Sequence, residues 1–141
     1  MTDDAQTLEL FRFADREQGV TVRVACDAPV VMGEERYYAA EIALESDFVN
    51  GSARLYVSAG DLDEWERCLD ALEAEEGAEW PPGGRSAWLT VIPEDPVEVT
   101  VHDSPSTQIA VRIPVDVTPG WLEENRLRLE RVREAVARKP A

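Results

Sequence analysis

Gly60-Asp61-Leu62-Asp63-Glu64-Trp65-Glu66-Arg67-Cys68-Leu69-Asp70-Ala71-Leu72-Glu73-Ala74-Glu75-Glu76 is the stretch whose periodicity decides the fold. Leu62, Trp65, Leu69 and Leu72 recur at steps of three, four and three, which places four large apolar groups on one helical face. Asp61 is read as the N-cap, with Glu64 three residues on completing a capping box. On either side of this helix the pattern changes to strict alternation, so the helix divides a β-rich chain into two blocks.

Upstream, Leu8 and Leu10 alternate before Phe11 and Phe13 take over on the opposite parity, as a β-bulge or a sheet edge would require. Val20, Val22, Val24 and Cys26 form a half-buried strand, as do Tyr38, Ala40, Ile42 and Leu44. Asn50-Gly51 signals a hairpin, with Ala53, Leu55 and Val57 on the return strand. Residues 28–36, with Pro29 and Gly33, are read as a loop.

Downstream, Trp80-Pro81-Pro82-Gly83-Gly84 punctuates the chain. Strands are expected over 87–92, over 97–102 and from Ile109 to Val117, with a turn at Asp103-Ser104-Pro105-Ser106. Pro114 has no N–H to give a neighbour, so its strand belongs at an edge or a bulge. Thr118-Pro119 opens the last helix, whose inward stripe is Leu122, Leu129, Val132 and Val136, with Trp121 alongside. Its basic end is Arg138 and Lys139. The expected class is α+β, largely antiparallel, in the order β4-α-β3-α with helices packed on sheet faces. One domain over residues 1–141 is expected, with 1–6 and 139–141 flexible.

A net charge of −15, from 29 acidic and 14 basic residues, argues against gripping nucleic acid by its phosphates or docking on an anionic membrane. The acidic N-terminus has no apolar core of a secretory signal, and no apolar run is long enough to span a bilayer. A cytoplasmic location is expected. Cys26 and Cys68 read as buried free thiols.

No catalytic, cofactor-binding or metal-ligating motif is present, which leans the reading away from an enzyme. His102, the one histidine, has Asp103 beside it but no nucleophile placed by sequence, and reads as an outward strand residue. The acids carry the stronger signal. Between Asp61 and Glu79 nine acids stand against Arg67 alone. Asp63, Glu66, Asp70 and Glu73 repeat the spacing of the apolar stripe one residue on, forming a parallel ridge. Glu75 and Glu76 extend it to a helix end where the dipole disfavours negative charge. These six acids, with Trp80 as an exposed aromatic anchor, are the expected binding face for a basic protein. The competing expectation is a small-ligand binder or enzyme with a tryptophan-lined pocket under the helices. A further expectation is that the last helix, with a balance of +2 over residues 119–141, pairs with part of the ridge.

Gly60-Asp61-Leu62, Trp65, Leu69 and Leu72, then Gly77 and Trp80, then Pro119-Gly120-Trp121-Leu122, resemble a group of small uncharacterised actinobacterial proteins, a domain of unknown function. More loosely, the pattern resembles immunity proteins that neutralise cell-wall-associated bacterial toxins. The resemblance implies a cytoplasmic binding protein, in its sharpest form an antitoxin. It assigns no catalytic residue and no cofactor.

Overall fold

The computed structural model describes residues 7–83, 86–103 and 107–137. The first block gives β1 (Thr7–Ala14), β2 (Gly19–Ala25), β3 (Val30–Met32), β4 (Glu35–Glu45) and β5 (Gly51–Val57). Helix α1 (Ala59–Glu73) follows, then β6 (Ala78–Trp80), β7 (Ala87–Ile92), β8 (Val97–Asp103), β9 (Ile109–Val115) and helix α2 (Trp121–Ala137). The first sheet runs β1-β2-β4, with β5 and β3 both on β4, and the second runs β6-β7-β8-β9. Every ladder is antiparallel.

The chain is therefore α+β, but the order is β5-α-β4-α rather than β4-α-β3-α. The two extra strands are three residues each, too short for alternation to register. β3 lies in the stretch read as a loop. It pairs with the start of β4 through a two-residue turn whose Gly33 has φ +66, the conformation a tight hairpin of this kind asks of its first turn residue. β6 lies between the helix and Pro81 and pairs with β7. The expected flexible ends at 1–6 and 139–141 lie outside the described residues. So do Gly84, Ser104-Pro105-Ser106, and the Arg138 and Lys139 end of the last helix.

Local predictions hold where one residue type decides the geometry. The β1–β2 register shifts between Glu9 and Phe11, so Leu8, Phe11 and Phe13 all oppose the inward valines of β2 and Leu10 is buried at the bulge. Pro114 sits on β9, an edge strand. The Asn50-Gly51 hairpin forms, but not as a two-residue turn. Neither residue has positive φ, and a loop over residues 46–50 is built on the Ser46 side chain instead.

The β1–β2 turn fastens the two sheets together. Asp15 accepts N–H bonds from Glu17 (2.8 Å) and Gln18 (3.0 Å), and across the molecule from Asp116 (3.0 Å), just past β9. Gln18 Nε2 donates to the Pro114 carbonyl at 2.6 Å. Gly19 is required here by close approach, since a Cβ would lie 2.6 Å from that of Ala14. Burial alone would raise the Asp15 pKa, but the three backbone donors outweigh it and hold the carboxyl below its ordinary value near 3.8. Asp15→Ala is expected to cost about 1–2 kcal/mol at pH 7. That difference is complete above the ordinary carboxyl value and fades as the pH falls through the lower folded value, where the wild-type carboxyl is also protonated. Urea unfolding of both proteins from pH 7 down to about pH 2 reads it; a gap that stays constant across that range would rule it out.

Helix α1 begins earlier than expected. Its N-cap is Ser58, not Asp61: the Ser58 hydroxyl accepts from the Asp61 N–H (3.3 Å), and the Asp61 carboxylate accepts from the Ser58 N–H (2.9 Å). Asp61 is thus the inner member of the capping box, and it is buried. The helix also ends three residues early. Glu75 N–H donates to the Leu72 carbonyl and Glu76 N–H to the Ala71 carbonyl, the paired bonds of a Schellman motif, and Glu75 has φ +64.

Leu62, Trp65, Leu69 and Leu72 all face the core as the stripe predicts. Trp65 stacks on Phe11 at 3.9 Å between ring centroids and meets Phe13 and Trp80 edge-on. Trp121 completes the group against Phe13. One aromatic cluster thus joins β1, α1, β6 and α2.

Helix α2 starts at Trp121, three residues after the expected cap, because the Thr118 carbonyl is used in a turn that accepts the Trp121 N–H. Leu129 and Val132 are fully buried, with Trp121, Leu122 and Val136 partly so. The polar residue in the same stripe, Asn125, is also 0% exposed. Its Oδ1 accepts the Arg12 N–H (2.9 Å) and its Nδ2 donates to the Arg12 carbonyl (3.2 Å). The side-chain amide thereby offers the free edge of β1 what a neighbouring strand would offer, and α2 closes that edge.

Candidate interaction surface

The expected ridge exists, but it is not free. Arg126 and Arg133 stand one heptad apart on α2, facing two acid pairs one heptad apart on α1. Arg133 reaches Asp63 and Glu66, both at 2.8 Å, and Arg126 reaches Asp70 (3.0 Å) and Glu73 (2.7 Å). The helices run antiparallel, so the earlier arginine meets the later acids. Four of the six acids assigned to a partner are thereby held within the chain, as the pairing expectation had it. For both arginines burial works against the charged form, yet the carboxylate hydrogen bonds and charges prevail and raise the pKa. Asp70→Lys/Glu73→Lys, which on an unpaired ridge would leave stability unchanged or raise it, is instead expected to cost on the order of 1 kcal/mol, because the new cations face Arg126. Combining it with Arg126→Glu should restore most of the loss. Urea midpoints of the three variants test this, and an Asp70→Lys/Glu73→Lys midpoint at or above wild type would count against the seam.

Trp80 corrects the expectation of an exposed anchor. It is 0% exposed, and its Nε1 donates to the Asp61 carbonyl at 2.8 Å, fixing β6 to the first turn of α1. Alternation with Glu79 on a strand the sequence did not reveal turns the indole inward. Trp65 and Trp80 fill the space under α1 where a tryptophan-lined pocket was expected. Trp88 and His102 are on the outer face of the second sheet, stacked at 3.8 Å with 7° between their planes. His102 is the outward strand residue that its position predicts.

Glu75 and Glu76 remain exposed at the end of α1, with Glu79 exposed on β6. Glu64 is engaged by Arg67. Cys26 and Cys68 are free and buried. Burial pushes the Cys26 thiol up to about 11, with the Asp27 charge adding to it. Cys68 is pushed to about 12 by burial, then by Glu64 and Glu79. Neither presents a thiolate near neutral pH.

The outer face of the first sheet carries a charge ladder that sequence reading missed, since it crosses strands. Glu9, Arg23, Glu41 and Arg54 are successive register partners on β1, β2, β4 and β5. Arg128 lies 3.4 Å from Glu9, and Arg23 lies 3.9 Å from Glu41. Three guanidiniums thus alternate with two carboxylates, and Arg54 is the terminal cation. Among the described residues no group of three or more His, Cys, Asp or Glu is placed to hold a metal ion, and no helix is long and apolar enough to cross a membrane.

Two antiparallel sheets joined by a helix, with a second helix sealing an edge and an acidic exterior, define the class of this protein. The chain belongs to DUF5959, a family of unknown function whose model matches residues 8–137. No curated protein matches it in sequence. Among solved structures it is similar to that of the plant transcriptional regulator PBF-2, with a TM-score of 0.53 and 12% identity, over 93% of this chain and 82% of that one. At that identity the likeness speaks for the fold alone.

Proposed function

We propose that this is a non-enzymatic protein that binds a basic protein partner through the acids at the C-terminal end of α1, Glu75 and Glu76, with Glu79 beside them. The observation that carries the reading is the backbone of Glu75. It occupies a left-handed conformation that suits glycine, at the negative end of a helix, with a second acid following it. A glycine there would relieve on the order of 1 kcal/mol of strain, and a neutral or basic residue would relieve the dipole as well. Local rules obeyed at the start of α1 are broken at its end, where the side chains are exposed, and such departures gather at functional surfaces. Neutralisation of a basic toxin, an immunity or antitoxin role in the cytoplasm, is the sharpest form of this reading, because complementary charge sets on-rate and specificity.

The test uses immobilised wild-type protein and the Glu75→Gly/Glu76→Gln variant in extract of the native host at ~0.05 M and ~0.5 M salt. The wild type should retain a basic protein at low salt and release it at high salt. The double variant should lose most of that capture while melting at a higher temperature. If the wild type captures no basic protein at either salt, the proposal falls.

A further inference from the structure

Phe48 is 94% exposed, more than any other large apolar side chain described. It stands on a turn fixed by side-chain bonds. The Ser46 hydroxyl accepts from the N–H groups of Phe48 (3.1 Å) and Val49 (2.8 Å) and donates to the Val49 carbonyl (3.0 Å). Asn50 Nδ2 donates to the Ser46 carbonyl at 3.0 Å. The ring is thus held outward, just after the exposed acids Glu45 and Asp47.

At the opposite end of the β4–β5 hairpin is a cleft of about 440 Å³ lined by Met32, Tyr37, Leu55, Tyr56 and Ser86, with Arg54 supplying its charge. Arg54 is the end of the ladder, where Glu41 lies between it and Arg23 in the register. The hairpin therefore presents an aromatic knob preceded by two exposed acids at one end and an apolar cleft with a cationic wall at the other.

We propose that Phe48 of one copy seats in this cleft of a second copy, bringing Asp47 and Glu45 beside Arg54. Knob and cleft are different surfaces, so the contact is heterologous and builds a ring or an open chain, not a twofold dimer. Cleft and turn are separated by roughly 17 Å along β5, from Gly51 to Tyr56, and roughly 26 Å along β4, from Tyr37 to Glu45, at about 3.3 Å per residue, so one copy does not satisfy its own cleft. The charge of −15 opposes assembly at long range, but that repulsion is screened beyond about 8 Å at 0.15 M salt while the knob contact is not. Assembly should therefore be favoured by moderate salt, the opposite of the salt response expected for a basic partner. The two proposals can accordingly fail independently.

Sedimentation equilibrium of the full chain up to about 500 µM in ~0.15 M salt tests it. Phe48→Ala and Arg54→Glu alter exposed side chains and leave the core untouched. The wild type should self-associate, each variant should weaken association by about tenfold or more, and adding Asp47→Arg to Arg54→Glu should recover part of the loss. A wild type monomeric at the highest concentration overturns the proposal. So does a Phe48→Ala protein that associates as tightly as wild type.

Discussion

Trp65→Ala is expected to lower the free energy of unfolding by about 3–5 kcal/mol, the range of large aromatic truncations in a filled core. Trp65 is 0% exposed and contacts aromatic rings from β1 and β6. None of the three rings, Phe11, Phe13 and Trp80, can follow the missing indole without leaving its own strand, so the cavity would collapse poorly. For a domain with the usual 5–15 kcal/mol in total, the variant would sit near the edge of folding. Trp65→Phe should behave differently. The indole Nε1 is buried without a hydrogen-bond partner, and removing that N–H relieves about 1–3 kcal/mol of unmet desolvation while the smaller ring keeps the stack on Phe11. Urea unfolding should place the Phe variant well above the Ala variant. Should Trp65→Ala melt within about 1 kcal/mol of wild type, the aromatic cluster would not be the joint between the sheets.

Asn125→Leu is expected to cost about 2–4 kcal/mol, against what pattern alone recommends. Leucine continues the stripe of Leu122, Leu129 and Val132 and favours the helix more than asparagine does. It also leaves the Arg12 N–H and carbonyl facing an apolar side chain, and it removes an acceptor that takes an Arg128 hydrogen bond at 3.1 Å. The loss should be accompanied by aggregation, because an open strand edge pairs with other chains. Denaturant unfolding and light scattering on the same samples check both parts; an Asn125→Leu protein as stable and as monodisperse as wild type would remove the edge-sealing role from Asn125.

These two residues mark what the sequence made legible. The stripe through Trp65 was readable because a helix writes its buried face at fixed spacing, and the change of parity at Phe11 because it admits a bulge or a sheet edge, and β1 has both. Pro114 revealed its edge by what it lacks. Asn125 was passed over because a polar residue in an apolar stripe reads as a gap, although a polar group at a core position is itself the signal. Trp80 was misplaced because the three residues of β6 are too few to show which way its side chains turn. The acids were read as a face, with pairing to the last helix expected only from its net charge, because sequence records charge along one helix and does not say that Arg126 and Arg133 are the residues that dock on it. Glu75 was read within a helix because acids do not announce a left-handed turn as glycine does.

Asn125 lies 113 residues after the backbone it seals. On a ribosome adding about 5–20 residues each second, β1 is finished roughly ten seconds before its cover is made. Throughout that interval the nascent chain carries an open template at β1. A product truncated before α2 would keep that template for good, so the amide of one asparagine serves as a check that translation reached the last helix.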